Sequence, residues 1–143
     1  MRILVAEDDP ITRKLILRTL SELDQQVLVA EDGQEAWEIY QRERPELIVT
    51  DWLMPGIDGL ELVERICAAN AERTLKPYIL MLTAKNETAD LKAGFDQGAS
   101  EFISKPFQPI ELIARIRVGI SNQKLARELE QARRLSEQQA LTD

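Results

Sequence analysis

Residues 47–59 read Leu47-Ile48-Val49-Thr50-Asp51-Trp52-Leu53-Met54-Pro55-Gly56-Ile57-Asp58-Gly59. Four strand-forming residues lead to a carboxylate, and the Pro55-Gly56 and Asp58-Gly59 pairs then carry turn chemistry. Leu60, Leu62, Val63, Ile66 and Cys67 follow at helical spacing. A run that is apolar throughout, rather than alternating, is what a strand buried on both faces requires. The stretch therefore predicts a parallel strand ending in Asp51, a shaped loop, and a covering helix led by Asp58 or Gly59.

The same unit recurs on either side. Further apolar runs occupy Ile3 to Ala6, Val27 to Ala30, Tyr78 to Leu82 and Glu101 to Ser104. Between them, Leu15, Ile16, Thr19, Leu20 and Leu23 share one face of a helix that Pro10 can open, over about 10–23. Ala36, Trp37, Ile39 and Tyr40 mark a second helix ending before Pro45. A fourth, over about 87–97, has a thin apolar face of Leu91, Ala93, Gly94 and Phe95, with Gly98 as its stop. Five buried strands alternating with five helices predict an α/β fold, a doubly wound parallel sheet with the last helix extended; the flavodoxin-like strand order 2-1-3-4-5 is the arrangement expected of it.

In such sheets, sites lie beyond the carboxyl ends of the strands. Those ends hold Glu7-Asp8-Asp9, Glu31-Asp32, Asp51, Thr83 and Lys105. With strands one and three adjacent, Glu7, Asp8 and Asp51 converge, and their mutual repulsion calls for a cation. Oxygen-only ligands suit a hard ion, Mg²⁺ or Mn²⁺. A carboxylate in that setting can act as nucleophile on phosphorus if Lys105 and the Thr83 hydroxyl offset charge on the transferring oxygens. Asp9 reads as the residue leading the first helix, with Pro10 in its first turn.

Composition narrows the alternatives. With 44% hydrophobic residues in 143, the chain can bury one core of ordinary size. A net charge of −7 opposes direct nucleic-acid binding and attraction to anionic membranes. The absence of histidine excludes histidine triads, histidine-zinc sites and histidine general bases. The single cysteine, Cys67, cannot pair internally and reads as a core thiol. Nowhere do about 18 apolar residues run together, so a soluble, cytoplasmic protein is expected.

Four blocks, VAEDD, VTDWLMPGIDG, MLTA and EFISKPF, closely resemble those of the response-regulator receiver (CheY-like) fold, in order and at similar spacing, over about residues 1–120. The resemblance implies that Asp51 is the phosphoacceptor, that Glu7 and Asp8 are the acidic pair, and that the Leu53 backbone carbonyl completes the metal site. It further implies that Thr83 is a switch hydroxyl, Phe102 a switch aromatic, and Lys105–Pro106 a cis peptide. The implied partner is a histidine kinase or phosphotransfer protein. Leu53 and Lys85 depart from the polar choices common beside such sites, which suggests an altered phosphoryl lifetime.

The chain divides into a receiver, 1–120, and an extension of the fifth helix, 121–143. Ile110, Ile113, Ile116 and Ile120 are expected to pack on the sheet, while the charged second half projects. Val118, Asn122, Leu125, Leu129, Ala132, Ser136 and Gln139 form a loose seam compatible with a parallel coiled coil and a homodimer; a solvated helix with pairs such as Glu130 and Arg134 is the alternative. Residues 140–143 resemble the lead into a diguanylate cyclase (GGDEF) domain, so the extension is expected to control an output domain of that kind. Three further readings compete: a stand-alone receiver acting by protein–protein contact, a flavodoxin-like carrier, and an aspartate-nucleophile phosphatase. The carrier lacks its Gly-rich loop after strand one, and Leu53 stands where the phosphatase would need a second Asp.

Overall fold

The computed structural model describes residues 1–84 and 88–142. Strands β1 (Arg2–Ala6), β2 (Gln26–Ala30), β3 (Leu47–Asp51), β4 (Tyr78–Thr83) and β5 (Glu101–Ser104) alternate with helices α1 (Pro10–Leu20), α2 (Gly33–Glu43), α3 (Gly59–Ala69), α4 (Thr88–Gln97) and α5 (Pro109–Thr142). The strands are parallel and lie in the order β2-β1-β3-β4-β5, the doubly wound arrangement expected from the sequence.

Each strand sends alternate residues to opposite faces. Leu4, Ala6, Ile48 and Met81 meet Ala36, Ile39, Leu62, Val63 and Ile66 of α2 and α3, with Cys67 packed alongside. Ile3, Val5, Leu47, Val49, Leu80 and Leu82 meet Ile16 and Leu20 of α1 and Leu112, Ile116 and Ile120 of α5. Both faces of β3 are covered, and its five residues are all buried.

Three helices begin with an aspartate whose side chain accepts a backbone N–H in the first turn: Asp9 from Thr12 at 2.9 Å, Asp32 from Glu35 at 2.8 Å and Asp58 from Glu61 at 2.8 Å. These caps fix where each loop from a strand end must stop. α2 ends at Arg44 (φ 49°), whose N–H bonds the Tyr40 carbonyl. Pro45 follows and disfavours a helical residue before it.

Two expectations are corrected. α1 ends at Leu20 rather than near residue 23, and Leu23 still reaches the core from the turn beyond. Ile110 does not pack on the sheet: it is 79% exposed, and Leu112, fully buried, stands in its place. The buried face of α5 runs Leu112, Ile116, Ile120 at four-residue intervals, which leaves Ile110 on the outer side.

Gly59 carries a steric demand that bears on the site. A Cβ there would lie 2.1 Å from the Asp51 carbonyl oxygen and 2.9 Å from the Trp52 Cα, both backbone atoms. We predict that Gly59→Ala lowers stability by about 1–3 kcal/mol, measured by urea denaturation; an unchanged midpoint would contradict this close packing of α3 on the end of β3.

Candidate functional site

The sheet continues one residue past several of its strands. Glu7 N–H donates to the Ala30 carbonyl at 3.2 Å, Trp52 N–H to Leu82 at 3.0 Å, and Lys105 N–H to Thr83 at 2.8 Å. Ala6 is paired with Thr50, so the next residues along, Glu7 and Asp51, emerge side by side. These backbone bonds hold the residues of the site more firmly than a free loop would.

Glu7 is fully buried, Asp51 is 8% exposed, and Asp8 is open to solvent. Carboxylate oxygens of the three lie within 4.8 Å of one another. Lys105 reaches in from the end of β5, its Nζ 2.9 Å from Asp51 Oδ2 and 3.2 Å from Glu7 Oε2. The Lys105–Pro106 peptide is cis, as the resemblance implied. Burial pushes the Glu7 carboxyl up to about 7, and the Asp51 charge adds to the rise, while Lys105 opposes it. Burial works against the Lys105 charge, yet the hydrogen bonds and charges of Asp51 and Glu7 outweigh it and raise its pKa.

The donor set fits a hard divalent cation. Three carboxylates face one ammonium, a balance of −2 when all are ionised, and every ligand offered is oxygen. Asp51, Trp52, Leu53, Thr83, Ala84 and Lys105 line a shallow hollow around the Asp51 carboxylate. Leu53 stands at its rim, 58% exposed, and Thr83 is buried within it. Phe102 lies deeper along β5, half-buried, edge-on to Phe95 of α4 at 4.6 Å and 6.1 Å from Trp52. Lys85 lies outside the described residues.

Two contributors escaped the sequence reading. Arg13 on α1 donates from Nη1 to the carbonyls of Glu7 at 3.0 Å and Asp8 at 3.4 Å, while its Nη2 pairs with Glu31 at 3.4 Å. It fixes the backbone from which the acidic pair hangs. Its signal was its place one turn after the capping Asp9. Trp52, adjacent to Asp51 in the chain and 5% exposed, packs against Phe102. Nothing in its local sequence distinguishes that position from ordinary core.

The raised Glu7 pKa has a consequence for stability. Folded Glu7 holds its proton above the ordinary value of 4.5, so this contribution is fully present below that pH and is lost as pH rises through about 7. In chelator, wild type is expected to lose more stability between pH 5.5 and 8.5 than Glu7→Gln, by urea melts; added divalent cation should restore more at the upper pH. Parallel pH profiles would show that Glu7 ionises freely.

Residues 3–117 match the family model described as the response regulator receiver domain. Among curated relatives, response regulator MprA of Mycobacterium leprae is 39% identical over 124 residues, covering 87% of this chain and 53% of that protein. The phosphate regulon transcriptional regulatory protein PhoB of Pseudomonas aeruginosa is 37% identical over 115 residues, covering 80% and 49%. The chain thus spans about half the length of these relatives. Among solved structures, the receiver domain of Francisella response regulator 1452 aligns with TM-score 0.76 and 29% identity over 85% of this chain and 97% of that one. The chemotaxis response regulator CheY4 of Vibrio cholerae aligns with TM-score 0.74 and 28% identity, over 81% and 95%. From β1 well into α5, over the same elements that build the acidic hollow, the chain belongs to the response regulator receiver domain family and is the receiver domain of a two-component response regulator.

Proposed function

We propose that Asp51 is the phosphoacceptor of this receiver. The carrying observation is its carboxylate, at the open end of the central strand, held at 2.9 Å by Lys105 beside Glu7 and Asp8. An Asp51 carboxylate oxygen forms a bond to phosphorus while the bond to the donor, a phosphohistidine nitrogen or the oxygen of a small acyl phosphate, breaks and the leaving group takes the electron pair. Lys105 neutralises the acceptor before transfer and a phosphoryl oxygen after it. The Thr83 hydroxyl, lining the same hollow, supplies a further donor. Glu7, Asp8, Asp51 and the Leu53 carbonyl would hold Mg²⁺ (or Mn²⁺), which supplies positive charge against the acidic cluster and the phosphoryl oxygens. Phe102, in contact with Trp52 and Phe95, is placed to follow a movement of Thr83 as the switch aromatic.

The donor partner is a histidine kinase or phosphotransfer protein. Ile11 and Ile110 are 80% and 79% exposed, and Leu15, Pro106 and Phe107 form an apolar hollow with Lys105. This gives a partner a surface to cover beside the acceptor.

α5 carries the output. Val118, Leu125 and Leu129 are 53%, 59% and 64% exposed along the seam, which supports a homodimer formed as a short parallel coiled coil. The alternative, a solvated single helix, draws on Glu130, paired with Arg133 at 2.6 Å and Arg134 at 3.2 Å. A diguanylate cyclase output rests on residues 140–143 alone, and one relative is named a transcriptional regulatory protein. α5 is therefore coupled to an output module in a cytoplasmic regulator; among the described residues no helix is long and apolar enough to cross a membrane.

Incubation with a small acyl phosphate and Mg²⁺ should add one phosphoryl group by intact mass in wild type and none in Asp51→Asn; equal labelling of the two would overturn the assignment. Leu53 covers part of the path of a hydrolytic water. Leu53→Asn should shorten the phosphoryl lifetime several-fold, read by loss of radiolabel, whereas an unchanged decay would remove Leu53 from that role.

A further inference from the structure

The end of the sheet opposite Asp51 carries a second polar hollow of about 140 Å³. It lies where the ends of α2 and α3 and the loop into β4 face α5. Glu46, on its wall, precedes β3, so five strand rises, about 16 Å, separate it from Asp51.

Its charge is opposite to that of the acidic site. Four cations, Arg44, Arg73, Lys76 and Arg127, line the hollow against one carboxylate, Glu46, in a chain whose net charge is −7. Both oxygens of that carboxylate are engaged, Oε1 by Arg127 at 2.7 Å and Oε2 by the Arg2 N–H at 2.8 Å. Its negative charge is already shared.

Arg44 is held in place from two sides. Its backbone is fixed at the end of α2, and its guanidinium lies 5.3 Å over the Tyr40 ring. The Nη1 atom is buried with no hydrogen-bond partner among the described residues. A buried guanidinium N–H without an acceptor is costly; that nitrogen is closed to solvent, so the remainder of Arg44 is what lines the hollow. Beside it, the Tyr40 hydroxyl accepts from Asn70 Nδ2 at 2.6 Å, which leaves its own hydrogen to donate.

These groups are donors and cations, and the space equals roughly four or five waters at about 30 Å³ each. That suits an acceptor-only oxyanion of phosphate size on a short stem, and guanidinium forks match phosphate oxygens. α5 forms one wall: Gln123 donates to the Glu46 and Lys76 carbonyls at 2.9 and 3.0 Å, and Arg127 reaches Glu46 one turn later. We propose that this hollow binds a small phosphate-class anion, either inorganic phosphate or the phosphate of a small ester, and that the bound anion fastens the root of the projecting helix to the domain.

The test is a nuclear magnetic resonance titration of the full chain, free of metal, with inorganic phosphate and separately with glycerol 3-phosphate, against sodium chloride at equal ionic strength. Saturable shifts confined to residues 44–46, 73–77 and 123–127 are expected with at least one of the two, the tighter naming the source. Arg44→Gln and the solvent-exposed Arg73→Gln should each weaken the midpoint about tenfold, and Asp51→Asn should leave it unchanged, which separates this site from phosphoacceptance. Hydrogen exchange at residues 120–130 should slow on saturation. Shifts that do not saturate, that chloride reproduces, or that survive Arg73→Gln undiminished would overturn the proposal.

Discussion

Like charge gathered at one point is the constraint around which this domain is arranged. Glu7 and Asp51 emerge from neighbouring strands because β1 and β3 pair directly, and both are largely removed from water. Two ionised carboxylates in such a place repel strongly. Lys105, delivered from the far edge of the sheet, offsets part of that repulsion; burial first, and the Asp51 charge after it, raise the proton affinity of Glu7. The stored repulsion is also what makes the cluster receptive to a divalent cation. Stability given up at the strand ends is supplied by the two apolar layers behind them.

The parallel fold makes this concentration possible. Every strand runs the same way, so every strand end arrives on one side, and one to three residues from each of β1, β3, β4 and β5 or its following turn furnish the site. Aspartate caps on α1, α2 and α3 stop the loops short, so the site is built on ladder-bonded backbone and not on long excursions. Trp52 and Phe102 extend it sideways into the layer shared with α4.

Most of this was legible because the period of apolar residues and the identity of strand-end residues are local properties. Five short apolar runs gave the strands, and Glu7, Asp8, Asp51, Thr83 and Lys105 fell at or just beyond their ends. What the sequence concealed depended on side chains crossing between elements. Arg13 acts on carbonyls six and five residues back, through a turn whose shape its own sequence does not declare. Ile110 belongs by composition to the buried face of α5, yet the buried row Leu112, Ile116, Ile120 leaves it on the outer side. The cluster of cations around Arg44 likewise arises only after α2, α3 and α5 are brought together.

The separation of charge along the strands has a consequence of its own. Glu7, Asp8, Asp9, Glu31, Asp32 and Asp51 crowd one end of the sheet, while Arg44, Arg73, Lys76 and Arg127 surround the other. Along β3 the acidic cluster and the cation-lined hollow therefore carry opposite local excesses of charge. A charged protein diffusing toward the domain feels a torque before it feels a contact, and is turned so that its positive surface faces the acidic mouth. Encounters at low ionic strength are then oriented in advance, and salt erodes that orientation without altering any bond in the site.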